Sequence, residues 1–202
     1  MDRVSSMDPA LASSLYAARA VQLVYETLLE FDYDAKPYRL LPGLAEALPE
    51  AQSNRLAYVI RLRPDACFQA DPCFGADSAG APRGRPVTAE DVVFSLKRLA
   101  DRRVASPGAW LVEDTIAGMR AFADASATGA KTDYGAEVAG LRAADARTVQ
   151  ITLTRPMHQF VWYLAMVYSA VVPREAVEYY GLDFGCHAVG SGPYRLTEWQ
   201  RN

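Results

Sequence analysis

Apolar residues along this chain recur with two periods. Between Tyr16 and Leu29, the residues Ala20, Val21, Val24, Tyr25 and Leu28 share one side of a helical wheel, which predicts a helix over 16–29. Leu56 to Leu62 alternates instead. Leu56, Tyr58, Ile60 and Leu62 fall on one face, which predicts a strand. Thr88 to Ala100 returns to the helical period with Val92, Leu96 and Leu99. Thr88 is a candidate cap, and Asp91 stands where a capping box places its reciprocal carboxylate. Glu90 and Asp91 favour the positive end of the helix dipole, and Lys97 and Arg98 the negative end. The stretch therefore predicts a well-capped helix with one buried face. Val138–Ala143 and Val149–Thr154 flank the turn Ala144–Arg147 and predict a hairpin. Trp110–Ala123 predicts a helix broken around Gly118, and Gln159–Met166 an apolar helix. Val167–Val172 predicts a strand, and Tyr194–Trp199 a last one. Arg174–Tyr180 predicts a short helix ended by Gly181. Phe31–Tyr38 predicts a turn into a short extended piece. Ala66–Pro86 is long, rich in Gly and Pro and without periodicity, so it predicts a loop, as do 102–109 and 125–134. Helices and strands interleave unevenly, so the fold class is α+β, with an α/β-like character.

Composition narrows the function classes. The chain has 202 residues, half of them apolar, and a net charge of −3. That describes an ordinary folded chain. No apolar run approaches the roughly 20 residues of a transmembrane helix. Lys and Arg are scattered, so no nucleic-acid partner is expected. The start is polar, and no leader is expected within it. Three cysteines are present. Cys67 and Cys73 flank the turn signal Asp71-Pro72, a spacing open both to a small disulfide loop and to two free thiols. His158 and His187 show no ligand spacing with the cysteines, so neither a metal nor a cofactor is expected. Cys186 beside His187 lacks an orienting third group. Gly190-Ser191-Gly192 lacks the spacing of a nucleophile elbow. An enzyme is not expected.

Several strings, in order along the chain, resemble the family 5 extracellular solute-binding proteins, the peptide- and nickel-type receptors of ABC importers. They begin with Met7-Asp8-Pro9-Ala10 and Val24-Tyr25-Glu26-Thr27-Leu28-Leu29. Leu44-Ala45-Glu46-Ala47-Leu48 follows, with Leu48 where the family carries tryptophan, and then Tyr58-Val59-Ile60-Arg61-Leu62-Arg63-Pro64. The capped stretch Arg85–Arg98 is the longest. Val172-Pro173-Arg174-Glu175-Ala176-Val177 and Val189-Gly190-Ser191-Gly192-Pro193-Tyr194-Arg195-Leu196 complete the set.

The resemblance implies the N-terminal part of a bilobed, type II periplasmic-binding fold. Residues 1–44 and 172–202 would be main-lobe segments and 45–171 an inserted subdomain, with the second lobe and the C-terminal return absent. It implies a substrate-binding component of an ABC importer for peptides or similar small solutes. A solute-sensing domain of a transcription regulator is the alternative. The implied compartment is periplasmic or extracellular and membrane-associated, which favours a Cys67–Cys73 disulfide. The implied partners are a small solute and an ABC permease, with self-association of the isolated chain. Positions matching the family's first-lobe contacts are Ser13, Ser14 and Leu15, and Gly108, Ala109 and Trp110. Serine hydroxyls and exposed backbone suit a peptide's polar groups, and Trp110 an apolar side chain. The ordinary alternatives are an N-cap for Ser13 or Ser14 and a core aromatic for Trp110. Gly108 departs from the aromatic often found there.

Overall fold

The central element is the helix α2, Ala89–Ala100. Thr88 precedes it in extended conformation (φ −117°, ψ 164°). The Asp91 carboxylate accepts from the Thr88 backbone N–H and from its hydroxyl, both at 2.8 Å. The start is thus fixed as the sequence predicts. Burial is not. Every residue from Asp91 to Ala100 is buried, and only Glu90 of the helix is exposed. The expected single buried face is corrected to a helix enclosed on nearly all sides. Its polar side chains are therefore matched one by one to distant parts of the chain. Ser95 Oγ donates to Asp91 O at 2.7 Å and accepts from Val172 N at 2.9 Å. Lys97 Nζ donates to the carbonyls of Tyr134 and Ala136 at 3.0 and 2.8 Å. Arg98 makes a two-pronged pair with Asp8 at 2.7 and 2.6 Å.

The computed structural model describes residues 4–49 and 55–199. The strands β3 (Ala57–Arg61), β6 (Leu141–Asp145) and β7 (Thr148–Thr152) form an antiparallel sheet in the order β3-β7-β6. Tyr58 faces Ile151 and Ile60 faces Val149 across the β3–β7 ladder, and these are the buried positions. The expected strand and hairpin are both present. α2 lies on β6 and β7, and α3 (Met119–Thr128) packs beside α2. Gly118, at φ 82°, turns the chain into α3 as its left-handed N-cap, so the expected break becomes a helix start.

Four further expectations are corrected. First, the helix α1 runs only over Leu15–Val24. Tyr25 turns extended because Val24 O accepts from Gly192 N at 2.8 Å, and the Tyr25 hydroxyl accepts from Val189 N at 3.2 Å. The chain then enters an antiparallel hairpin of β1 (Leu29–Asp32) and β2 (Arg39–Pro42). Second, the predicted loop 66–86 contains a hairpin, β4 (Asp71–Ala76) and β5 (Pro82–Arg83), with an irregular register. Third, the predicted strand 167–172 opens as the 3₁₀ turn Val167–Ser169, closed by Ser169 Oγ on Tyr163 O at 2.7 Å. It follows α4, Phe160–Tyr163, much shorter than the helix expected. Fourth, the stretch 194–199 is irregular. Tyr194 N donates to Leu23 O at 3.1 Å, and no described strand pairs beyond it. The last α-helix, α5 (Arg174–Tyr180), ends at Gly181 as predicted, and the 3₁₀ helix Gly181–Cys186 follows directly.

One apolar core runs through these elements, from Met7 to Val189. Ion pairs cross between its sequence-distant parts. Arg63 meets Glu26 at 2.9 Å, and Arg85 bridges Asp91 and Glu175 at 2.7 and 2.5 Å. Leu96 and Leu99 are each about 1% exposed. Burying a leucine of this kind contributes roughly 1.5–3 kcal/mol.

Removing one partner of the Asp8–Arg98 pair should leave a charge stranded in this core. Asp8→Ala alone should cost about 3–5 kcal/mol in urea unfolding. The double variant Asp8→Leu/Arg98→Met should recover most of that loss. A single variant that shifts stability by less than about 1 kcal/mol would show that the pair does not hold the core.

Candidate functional site

The two predicted contact loops are joined by a continuous run of hydrogen bonds that begins at Arg98. The Asp8 carboxylate accepts from Arg98 and also caps the 3₁₀ turn Pro9–Leu11, taking Ala10 N at 3.0 Å. Ala10 O in turn accepts from Ser106 Oγ at 2.6 Å. The same Ser106 oxygen accepts from Gly108 N at 3.0 Å. Both Asp8 and Ser106 are buried. Ser106 therefore ties the Gly108–Trp110 loop to the turn that leads into Ser13–Leu15. The 3₁₀ turn Val167–Ser169 packs against the same Pro9–Leu11 turn.

The six predicted residues take different parts. Ser13 is exposed, and its N–H donates to Leu11 O at 2.8 Å. Ser14 is the N-cap of α1, its Oγ accepting from Ala17 N at 3.1 Å. That oxygen is committed to the helix, which is the ordinary reading of the residue. Leu15 is 64% exposed at the first turn of α1. Ala109 and Trp110 lie in the 3₁₀ turn Ala109–Leu111, anchored by the fully buried Leu111. Trp110 is 52% exposed, so it is not a core aromatic. Its ring stands edge-on to Tyr163 with centroids 5.3 Å apart. Gly108 lies directly against the ring of Tyr168. Tyr163 and Tyr168 adjoin these predicted contact residues, which the sequence pattern does not reveal.

A cavity of about 240 Å³ lies between α1, β1 and the 165–170 segment, lined by none of the six predicted residues. Tyr25, Thr27, Glu30, Phe31, Tyr33 and Val167 line it. Burial, and then the neighbouring Glu26, push the Glu30 carboxyl above the usual carboxylate range. Phe31 continues into an aromatic row, with Trp162 and Tyr33 each 5.8 Å away.

Cys67 and Cys73 are free thiols here, and the expected bridge is not formed. Cys67 is exposed between the buried Ala66 and Phe68, whereas Cys73 packs against the core from β4. Burial and the hydrogen-bonded Asp71 carboxylate push the Cys73 thiol well up. His187 lies flat on Tyr180, centroids 4.2 Å apart, and the Tyr180 hydroxyl donates to Asp71 at 3.0 Å. The imidazole is thus engaged in stacking. A Cβ on Gly190 would come within 2.0 Å of Val24 O, so the glycines around Ser191 serve close backbone packing. Among the described residues no cluster of His, Cys, Asp and Glu is placed to hold a metal ion. No helix among them is long and apolar enough to cross a membrane.

The sequence profile of the bacterial extracellular solute-binding proteins, family 5 (middle), matches residues 39–202. The chain belongs to this family. It is 32% identical to the peptide transport periplasmic protein SapA of Salmonella typhimurium, over 98% of this chain and 33% of that protein. It is 30% identical to the periplasmic oligopeptide-binding protein OppA of Escherichia coli, again over 98% of this chain and 33% of that protein. Among solved structures, the Escherichia coli murein tripeptide binding protein MppA superposes with a TM-score of 0.76 at 26% identity, covering 98% of this chain and 35% of that one. Burkholderia pseudomallei OppA superposes with a TM-score of 0.74 at 28% identity, covering 98% and 34%. The architecture is therefore the N-terminal part of the periplasmic-binding-protein fold. The chain spans about a third of the length of the curated relatives it matches.

The cap role of Ser14 has a stability signature. Ser14→Ala should cost about 1 kcal/mol, and Ser13→Ala should be within about 0.5 kcal/mol of the parent. Equal losses at both positions would contradict the assignment. Thiol labelling separates the cysteines in the same way. The thiolate is the reactive form, so a raised Cys73 keeps that thiol protonated and slow. Cys67 should label first with iodoacetamide at pH 8, and Cys73 only after unfolding or at higher pH. Equal labelling rates in the folded protein would contradict this placement.

Proposed function

We propose that this chain supplies one ligand-contacting wall of a solute-binding component of an ABC importer, and that the solute is a peptide or a similar small molecule. The observation that carries the reading is the Ser106 bridge. It holds the segments 13–15 and 108–110, with the exposed Leu15 and Trp110 at their tips and Gly108 buried, on a buried hydrogen-bonded support. Peptide transport, oligopeptide binding and glutathione binding in the names of the relatives support the same solute class. The corresponding partner is an ABC permease, the compartment is periplasmic or extracellular, and no enzymatic step is assigned. Residues 45–171 are read as the inserted unit between main-lobe segments 1–44 and 172–202. Leu41 on β2 is 46% exposed beside an edge with no partner strand among the described residues, which suits self-association of the chain by itself.

One wall alone captures little affinity. Small-molecule pockets bury roughly 70–90% of their ligand, and association costs on the order of 4–15 kcal/mol before any gain appears. The 202-residue chain should therefore bind a mixture of short peptides only at dissociation constants on the order of millimolar. Amide chemical shifts during titration should move at Ser13–Leu15 and Gly108–Trp110. Trp110→Ala should weaken the response roughly 3–10-fold. Shifts confined to the Glu30–Tyr33 cavity, with the loops unmoved, would place the site elsewhere.

A further inference from the structure

Gly108 carries no backbone reason for being glycine. Its φ of −88° and ψ of 2° lie in the bridge region that L-residues adopt in turns. What forbids a side chain is its surroundings. A Cβ built on Gly108 would lie 2.6 Å from Cγ, 2.7 Å from Cβ and 3.0 Å from Cδ2 of Tyr168. Two carbon atoms do not approach that closely, so the tyrosine ring occupies the space that a side chain at position 108 would fill.

The ring is held there by design of the turn. Tyr168 is the middle residue of Val167–Ser169, which Ser169 pins through its N–H on Met166 O at 2.8 Å and its hydroxyl on Tyr163 O at 2.7 Å. Tyr163 is the ring that stands edge-on to Trp110. One hydroxyl thus sets the segment carrying Tyr168 relative to the partner of Trp110. Tyr168 is half-buried, and its hydroxyl makes no hydrogen bond within the described residues. A packed ring body with an uncommitted polar tip is the form in which tyrosine meets a ligand at an apolar–wet boundary.

We propose that Tyr168 is a specificity-determining residue of this site, standing in for a side chain at position 108 and forming with Trp110 the wall that receives an apolar side chain of the bound peptide. The proposal rests on the peptide-binding reading above. Tyr168 contributes ring area and a hydroxyl that position 108 itself does not supply. The wall should consequently prefer aromatic over small side chains in the peptide.

The test compares two blocked tripeptides, Ala-Phe-Ala and Ala-Ala-Ala, titrated into the 202-residue chain at millimolar concentration with amide shifts as readout. The parent should prefer the phenylalanine peptide. Tyr168→Leu, which keeps bulk and removes the ring, should cut that preference roughly 3–10-fold while the loop amides still respond to both peptides. The double variant Gly108→Tyr/Tyr168→Gly moves the ring from one segment to the other and should regain at least half of the preference. Circular dichroism confirms that each variant is folded. An unchanged preference in Tyr168→Leu, or a folded double variant without recovery, overturns the role of Tyr168 and leaves the peptide reading intact. Loop amides that respond to neither peptide in the parent overturn both.

Discussion

A helix enclosed on nearly every side must find partners for its polar side chains outside itself. Burying an unpaired charge or hydroxyl costs several kcal/mol, and burying an ion pair is tolerable only with good geometry. α2 carries Asp91, Ser95, Lys97 and Arg98 into the interior. Their partners come from Arg85 and Thr88, from Val172, from the Tyr134 and Ala136 carbonyls and from Asp8. The rest of the described structure is arranged so that these four requirements are met together. The hydrophobic burial of Val92, Leu96 and Leu99 supplies the driving force. The polar partners fix which segments must be present and in which register.

The same requirement reaches the site. Asp8 cannot satisfy Arg98 without being placed at the head of Pro9–Leu11, and there it also caps that turn. Ala10 then presents a carbonyl to Ser106, and Ser106 orients Gly108. Arg98, Asp8, Ala10, Ser106 and Gly108 form one connected series from the centre of the core to the contact loops. Arg98 is further covered by the Phe184 ring at 5.3 Å, which shields the pair from water.

Local rules made part of this legible. The capping pattern at Thr88 and Asp91 acts within one turn, so the start of α2 could be read directly. The alternation in 56–62 and 149–154 gave β3 and β7 because each has one buried face. The enclosure of α2 was not legible. Lys97 and Arg98 look like solvated residues at a helix end, and Asp8 lies 90 positions away. The apolar run 167–172 suits a strand or a buried turn equally, and the Ser169 hydroxyl decided for the turn. α1 stopped early because the extended partners of Val24 and Tyr25 come from 189–194. In the sequence Ser14 fitted a cap rule and a contact role alike, and the structure shows the cap. Tyr168 had no signal in the sequence at all, since what marks it is the missing Cβ of a residue 60 positions before it.

The connected series also bears on how such a wall works. Ordering a rotamer-rich side chain on binding costs roughly 0.5–1.5 kcal/mol, and ordering a loop costs more. Here the backbone beneath Leu15 is fixed by the Ser14 cap, and that beneath Trp110 by Ser106 and the buried Leu111. The tips are exposed, but their supports are already in place. On the proposed reading, a ligand would meet rings and backbone that need little rearrangement, and its contacts would not be spent on organising the wall. That advantage depends on the core. A change at Asp8 or Arg98 touches no ligand, yet it removes the anchor from which both loops are positioned. Stability of the buried pair and readiness of the site are consequently one property, set by how α2 satisfies its charge.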